Sequence, residues 1–375
     1  MSYAVQTLIH ERSRYAAGVG AVLFSASLMA LQVGLLLGLF ELTSIPVDHS
    51  KADLWIGTNN VESVDLGRPI PISLIGRLDK PGMSAPEVYY LSFADFNKAA
   101  GGSNLCTVVG SGLGPDDVGC SDVLSPEQRE ALTEKMTIVC DVSDLKRLGF
   151  TTIGDKGKVN MKEVRLVGTV TGLQSLAAPW AFCSQTTARE LLSGPNPRYA
   201  DHCTYLLTRC DSKERATEIA TELRAEYPEM SIYTADEFST KSRLYWLRRT
   251  KAGVAMGYAA LLGLMVGALI TAQTLYSATM AGAKEFAVLL ALGIPRMRIY
   301  RMVMVQSFWV GLMGVVIAYP VIEVLAYFAE QAGSHVELRW EVFAGAVVLT
   351  MVTALLSGLT ALRSVRTIEP MSLLR

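Results

Sequence analysis

The stretch AGVAMGYAALLGLMVGALITAQTLYSATMAGA, residues 252–283, contains no Asp, Glu, Lys or Arg and decides the fold class of this chain. Three more uncharged stretches lie at 16–40, 302–322 and 342–362. A helix needs roughly 20 apolar residues to cross the ~30 Å hydrocarbon core of a bilayer, and each stretch reaches that length. Because backbone groups in lipid must be satisfied within the segment, the sequence predicts four transmembrane α-helices.

The composition excludes several classes of protein. Of 375 residues, 50% are hydrophobic and only 18% are charged, which is not the composition of a disordered chain. The formal net charge of −1 argues against nucleic-acid binding. The first uncharged stretch is longer than the core of a typical signal peptide and lacks a clear small-x-small cleavage site, so we interpret it as a retained anchor.

The charge distribution predicts the orientation of the spans. The positive-inside rule counts Lys and Arg in short loops, and these residues concentrate before the first span, between the second and third spans, and in the tail. Both termini are therefore predicted to be cytoplasmic and the large domain to lie outside. The predicted segments are an inner segment at 1–15, a span at 16–40, the large domain at 41–240, a stalk and second span at 241–278, an inner loop at 279–301, a third span at 302–328, an outer loop at 329–341, a fourth span at 342–362 and an inner tail at 363–375.

One basic cluster contradicts this orientation. Lys241, Arg243, Arg248, Arg249 and Lys251 precede the second span on the predicted outer side. A long translocated domain weakens the local charge rule, so the orientation is kept. We predict that the part of this cluster from Arg243 to Lys251 meets lipid headgroups rather than a cargo.

All six cysteines lie in the large domain. Their even number and exclusive placement are typical of an oxidising compartment and of disulfide bonds, with buried free thiols as the alternative. Cys106–Cys120, which flanks a Gly-rich loop, is the pair we favour, whereas a strand between Cys203 and Cys210 would hold them too far apart. The candidate disulfide cysteines are Cys106, Cys120, Cys140, Cys183, Cys203 and Cys210.

Local signals predict a mixed α+β domain. Ser125 and Gln128 predict a capped helix through about Lys135, and Asp211 opens a second helix. Runs of β-branched and aromatic residues predict strands at 136–140, 164–170, 180–183, 204–208 and 230–233. The first and third of these strands both end in Cys and lead into a predicted helix, which suggests a structural repeat.

A further helix is predicted to connect the domain with the second span. Thr234 and Glu237 form a capping box, and neither Pro nor a turn cluster interrupts residues 241–270. We therefore predict one continuous helix that couples the domain mechanically to the membrane. An ordinary connector helix is the alternative.

Catalytic motifs are absent from the sequence. It contains no G-x-x-x-x-G-K-[ST], G-x-S-x-G or H-E-x-x-H pattern, and His202 beside Cys203 is an isolated adjacency rather than a metal site. The chain is therefore predicted not to be an enzyme and to bind no cofactor or metal of its own. The spans are poor in ionisable groups, which argues against an ion-coupled carrier.

Small-residue pairs at G-x-x-x-G spacing occur in two of the spans. Such pairs let helices approach closely, within one subunit or across a dimer, although lipid-facing glycine is the alternative. The pairs are Gly34/Gly38, Gly253/Gly257 and Gly263/Gly267.

The inner loop carries the most specific pattern. Residues 279–301 read TMAGAKEFAVLLALGIPRMRIYR. Apolar residues at helical spacing predict a short helix, with Gly293 as its C-cap and Pro295 as the first residue of the next helix. Such a helix lies on the membrane or inserts into a groove of a partner. The candidate contact residues are Lys284, Glu285, Phe286, Leu289, Leu290 and Gly293.

This loop resembles the signature of the FtsX-like (MacB-type) ABC transporter permeases. The tail ALRSVRTIEPMSLLR, residues 361–375, is similar to the family's closing pattern of spaced arginines, Pro and a final Leu-Arg. The plan of one span, a large domain and three spans also matches. Within the family, Tyr245-Trp246-Leu247, the run 273–276 and Gln306 resemble the DevC branch.

The resemblance implies a homodimeric, multi-pass subunit of the bacterial inner membrane with a periplasmic, MacB-like α+β domain. It implies a cytoplasmic ABC ATPase partner that binds the ATP and Mg, with 279–301 as the coupling helix. It further implies mechanotransmission to a periplasmic adaptor and an outer-membrane duct in export. The first alternative is an FtsX-like transducer that activates an envelope enzyme, and the second is a membrane-anchored, disulfide-rich enzyme or sensor.

Overall fold

The computed structural model of the chain describes residues 12–98, 101–175, 178–282, 288–289, 292–331 and 340–366. The chain forms two compact units. We call Leu39–Ala252 the interspan domain, and Met1–Gly38 together with Gly253–Arg375 the helical unit.

The helical unit is built from long apolar helices. They are α1 (Arg12–Asp48), which continues into the interspan domain, α7 (Lys251–Ala281), α8 (Arg296–Gln331) and α9 (Trp340–Arg366). Among the described residues, three stretches are long and apolar enough to cross a membrane: Ala16–Asp48, Lys251–Thr274 and Met297–Ala329. The apolar part of α9, Phe343–Leu356, is shorter, so the fourth span stays a prediction.

One of the small-residue pairs packs inside the helical unit. A Cβ atom at Gly263 would lie 3.0 Å from the Gln32 side chain, and one at Gly267 would lie 2.8 Å from Met29. The Ser25 hydroxyl donates to the carbonyl of Gly267. Gly263 and Gly267 therefore bring α7 close to α1 of the same chain rather than facing lipid.

The interspan domain is a mixed α+β fold around a nine-stranded sheet. Its order is β11-β1-β10-β3-β4-β8-β5-β7-β6, and a further β3–β6 pairing closes part of the sheet on itself. The strands are β1 (Leu54–Thr58), β2 (Ile70–Pro71), β3 (Glu87–Asn97), β4 (Ser103–Ser111), β5 (Thr137–Asp141), β6 (Lys156–Val159), β7 (Lys162–Val170), β8 (Trp180–Ser184), β9 (His202–Cys203), β10 (Tyr205–Thr208) and β11 (Met230–Thr234). The helices are α2 (Pro126–Ala131), α3 (Leu145–Leu148), α4 (Gln185–Ser193), α5 (Lys213–Glu226) and α6 (Ala235–Arg249).

The predicted elements are confirmed with shifts at their ends. β5, β7, β8, β10 and β11 occupy the five predicted strands, and β5 and β8 each lead into a helical segment. The capping box of Ser125 and Gln128 is present, but α2 ends at Ala131 instead of about Lys135. Ser212 caps α5 in place of Asp211, because its extended backbone lets the hydroxyl accept from the amide of Arg215.

Both faces of the sheet are buried, because alternate side chains of each strand enter different cores. On one face, Ile56 and Val108 pack with Ile219 of α5. On the other face, Trp55 and Val109 pack with the end of α1 and with α6, which contribute these buried side chains: Leu42, Ile45, Val47 and Phe238. The second face thus fixes the two helices through which the chain enters and leaves the domain.

The predicted disulfide bonds are wrong, because all six cysteines are free. Cys106 lies in the core beneath α5, whereas Cys120 lies in the core beneath α6, so the favoured pair is separated by the sheet. Five of the six are buried and act as small apolar side chains, and Cys210 is half-buried. The alternative of free thiols therefore holds, and the cysteines no longer indicate an oxidising compartment.

These thiols should be nearly inert in the folded protein. Burial raises the pKa of Cys106, Cys140 and Cys203 to about 12. At pH 8 such a thiol is a thiolate in only about one molecule in ten thousand, and the reactive fraction increases as the pH rises. We expect iodoacetamide at pH 8 to reach Cys210 first, and all six cysteines only after unfolding without reductant, as read by mass spectrometry. Disulfide-linked peptides in a non-reduced digest would contradict this expectation.

Candidate functional site

The inner loop of the candidate contact residues is described in part. Lys284, Glu285, Phe286 and Leu290 lie outside the described residues. At Gly293 the backbone is left-handed, with φ of +83°, and the amide of Ile294 donates to the carbonyl of Leu289 at 3.1 Å. This bond is that of a Schellman motif, so the predicted C-cap is confirmed. α8 begins at Arg296, directly after Pro295.

The end of this loop packs against the start of α8. Leu289 and Ile294 contact the buried side chains of Ile299 and Val303. Gly293 and Pro295 therefore turn the chain sharply from the loop into α8.

A second site lies in the interspan domain, where α1 and α6 are joined to each other. The Arg243 guanidinium donates through Nε to the Ser44 hydroxyl at 2.9 Å and through Nη2 to Asp48 Oδ2 at 2.7 Å. Ser44 in turn donates to the same carboxylate. We call these three residues the helix clamp. It couples the last turn of α1 to the middle of α6 through charge-assisted hydrogen bonds.

A third segment holds α6 from another side. The hydroxyl of Ser242 accepts from the amide of Val64 at 3.0 Å, and the Trp246 indole donates to Asp65 Oδ1 at 3.3 Å. The buried Tyr205 hydroxyl donates to the carbonyl of Val64 at 2.7 Å. Burial raises the pKa of Tyr205 far above its usual value, so this hydroxyl keeps the proton that it donates.

An aromatic cluster joins the start of α6 to the sheet. The Trp55 ring lies 5.2 Å from Tyr89, 5.4 Å from Tyr205 and 5.7 Å from Phe238 of α6. Tyr233 stacks on Phe238 with ring centroids 5.3 Å apart. Edge and stacked pairs of this kind add about 0.5–1.5 kcal/mol each to the burial of the rings. The cluster therefore makes the start of α6 a rigid part of the domain.

The predicted continuous helix from α6 into the second span is wrong. α6 ends at Arg249, and Thr250 has an extended backbone with φ of −93° and ψ of 144°. Its hydroxyl donates to the carbonyl of Trp246 at 2.5 Å. A β-branched residue whose hydroxyl bonds to the carbonyl four residues earlier competes with the helical hydrogen bonds, and this competition favours a break at Thr250. α1, in contrast, is unbroken from Arg12 to Asp48.

The half-buried carboxylate of Glu87 and the buried carboxylate of Asp144 hold loops in place. Both oxygens of Glu87 accept from the amide of Val118, and burial raises the pKa of Glu87 despite these bonds. Asp144 is paired with Arg147 at 2.8 Å and accepts from the amide of Ser175, and burial raises its pKa. Among the described residues, no group of three His, Cys, Asp or Glu side chains could hold a metal ion.

His202 and Cys203 do not converge on a ligand. His202 Nδ1 lies 2.6 Å from Asp201 Oδ1, whereas Cys203 is fully buried in the core beneath α5. Their adjacency in sequence on β9 places the two side chains on opposite faces of the strand.

Residues 257–370 match the family model described as FtsX-like permease C-terminal. The chain is 23% identical over 234 residues to a protein named uncharacterized ABC transporter permease MJ1507, of Methanocaldococcus jannaschii. That match covers 60% of this chain and 57% of the relative, so the chain spans little more than half of the relative's length.

Two solved structures are similar to part of the chain. The periplasmic region of MacB from Actinobacillus actinomycetemcomitans is 11% identical, with a TM-score of 0.35, and the match covers 52% of this chain and 94% of that one. The extracellular domain of the noncanonic ABC-type transporter YknZ from Gram-positive bacteria is 10% identical, with a TM-score of 0.31 and coverages of 48% and 98%.

The family match confirms the resemblance predicted from the inner loop and the tail. Residues 257–370 are thus similar to the C-terminal part of FtsX-like permeases, and the matching relative carries the name of an ABC transporter permease. The similarity to the DevC branch stays a prediction.

The helix clamp was missed at the sequence level. Arg243 was noted only as one cation of the basic cluster, and its partners lie about 200 residues away, in the first helix. The available signal was a polar pair, Ser44 and Asp48, one turn apart at the end of an apolar helix.

The clamp should show as coupled stability changes. We expect Arg243→Gln and Asp48→Asn each to lower the stability of the interspan domain, and the double variant to lose about 0.5–1 kcal/mol less than the sum. Thermal unfolding of the full chain is monitored by the loss of the aromatic circular dichroism signal. It is measured for the wild type, the two single variants and the double variant. Strict additivity would mean that the two side chains do not interact.

Proposed function

We propose that this permease transmits ATP-driven movement across the membrane to its interspan domain, as the membrane subunit of an export system. The observation that carries the proposal is the helix clamp. Arg243 joins α6 to the end of α1, and both helices are buried in the same core as Trp55. A domain held in this way follows α1 as one body when that helix moves.

The mechanical path differs from the one predicted from the sequence. α1 is one unbroken helix that leads from an apolar stretch into the core of the interspan domain. α6 and α7 are separated at Thr250, where the backbone is extended. We infer that α1 is the rigid element that moves the domain and that Thr250 is the joint that permits the movement.

The partners follow from this role. A separate cytoplasmic ABC ATPase supplies ATP binding and hydrolysis, with the Mg ion, and contacts the inner loop around Lys284–Gly293. Two copies of the chain form a homodimer in the bacterial inner membrane, with both termini cytoplasmic and the interspan domain in the periplasm. A periplasmic adaptor and an outer-membrane duct receive the movement and complete the export path.

Arg243→Gln should uncouple movement of the interspan domain from ATP hydrolysis by the ATPase. We expect ATP hydrolysis by the reconstituted complex to persist while the ATP-dependent displacement of the interspan domain decreases, since α6 is no longer joined to Asp48. Distance measurements between probes on the interspan domain and on the ATPase follow the displacement. Arg165→Gln is the matched control. Arg165 lies on β7, away from both helices, and the change removes its exposed ion pair with Glu134, in which the charged atoms are 2.5 Å apart. Equal displacement in Arg243→Gln and wild type would refute the clamp's role.

Glu285→Arg tests the other end of the path. Reversing this charge in the inner loop should separate ATP hydrolysis from domain movement without unfolding the spans, because the side chain is assigned to the contact with the ATPase. The readouts are the hydrolysis rate of the complex and the same distance measurement. Wild-type coupling in Glu285→Arg would show that the inner loop does not make the proposed contact with the ATPase.

The partner that co-purifies with the chain distinguishes the two functions. An envelope hydrolase in place of an adaptor would favour the transducer alternative.

A further inference from the structure

The structure divides the basic cluster before the second span into two groups. Lys241 donates to the Tyr233 hydroxyl at 2.8 Å and lies 4.7 Å from the centre of that ring. Arg243 belongs to the helix clamp. The side chains of Arg248, Arg249 and Lys251 are exposed. Two cations of the cluster thus hold the domain together, and three face outward.

The three outward cations lie beside apolar and aromatic side chains. Leu244 is 41% exposed and lies one helical turn before Arg248, on the same face of α6. Tyr245 is placed in the same way before Arg249, and Trp246 directs its indole N–H to Asp65. Leu, Tyr and Trp next to Arg and Lys form the side-chain set that occurs where a helix meets the headgroup region of a bilayer.

The position of these residues in the chain fixes what they can reach. Lys251 is the first residue of the candidate span Lys251–Thr274, and Arg248 and Arg249 lie just before it in the chain. Cations at the end of a span extend their side chains to headgroup level. Asp65, the acidic residue of the 64–66 turn, is already bonded to Trp246 and Ser63.

We propose that residues 244–251 form a binding surface for anionic phospholipid headgroups in the leaflet next to the interspan domain. Arg248, Arg249 and Lys251 bind the phosphate groups, and Leu244 enters the boundary between headgroups and acyl chains. The inference rests on the proposed membrane location and not on the ATPase contact. It explains why a basic cluster persists on the side that the positive-inside rule leaves poor in cations.

The binding of the surface is measurable as a lipid preference. The full chain is reconstituted in bilayers that contain either spin-labelled phosphatidylglycerol or spin-labelled phosphatidylcholine, and the fraction of lipid immobilised at the protein is read by electron paramagnetic resonance. Each Lys or Arg near a negatively charged surface contributes about fivefold to the attraction. We expect the triple variant Arg248→Gln/Arg249→Gln/Lys251→Gln to lower the preference for phosphatidylglycerol by between about fivefold, the contribution of one cation, and roughly 100-fold, that of all three. High salt should reduce the difference.

The matched control removes the same charge elsewhere. Lys135→Gln/Lys158→Gln/Lys213→Gln changes three exposed lysines on other parts of the interspan domain and should keep the wild-type preference. An equal decrease in both triple variants would indicate net charge alone, and an unchanged preference in the first would exclude the surface; either result overturns the proposal. A retained lipid preference with loss of a co-purifying acidic protein would overturn it in favour of a protein partner.

Failure of this inference is distinguishable from failure of the proposed function. The lipid measurement needs no ATPase, so a complex that couples hydrolysis to movement can still lack the lipid preference. A chain that does not enter bilayers at all would instead contradict the membrane location on which both proposals rest.

Discussion

The burial of α1 and α6 against the same face of the sheet is the constraint on which the rest of the structure depends. In a sheet that is covered on one face only, the other face is exposed to water, and every second residue of its strands is polar. Here Trp55, Val109 and Phe182 are all apolar and buried on the face that receives these helices. The end of α1 and the start of α6 are therefore part of the domain's core, and the domain cannot complete its second core without them.

The burial of both helices allows the helix clamp to align them with each other. An ion pair between two exposed side chains contributes little, commonly below about 1 kcal/mol. Arg243 and Asp48 are only about a third exposed, with side chains 33% and 31% accessible, and both belong to helices that are already fixed by Phe238 and Leu42. Since the helices are ordered by burial, the clamp loses little conformational entropy when it forms, and it selects how the two helices align.

Much of the fold could be predicted from the sequence, and the errors have physical causes. Caps and apolar runs are local signals, so Ser125, Thr234 and Gly293 were identified correctly. The longest hairpin, β3–β4, was missed, although Glu87–Asn97 is a regular extended segment, because its two faces are both apolar near Tyr89 and Tyr90 and show no alternation. The cysteines were misjudged because spacing along the chain does not tell which face of a sheet a side chain enters.

The helix clamp and the break at Thr250 could not be predicted either, because both depend on tertiary or single-bond details that leave no pattern along the chain. A clamp between residues 48 and 243 depends on tertiary packing and leaves no periodic signal, whereas a break at Thr250 depends on one hydroxyl bond in a segment whose neighbours all permit helix. The two connections between the interspan domain and the helical unit therefore differ in continuity. α1 is continuous into the core, and the connection through Thr250 is broken beside three outward cations.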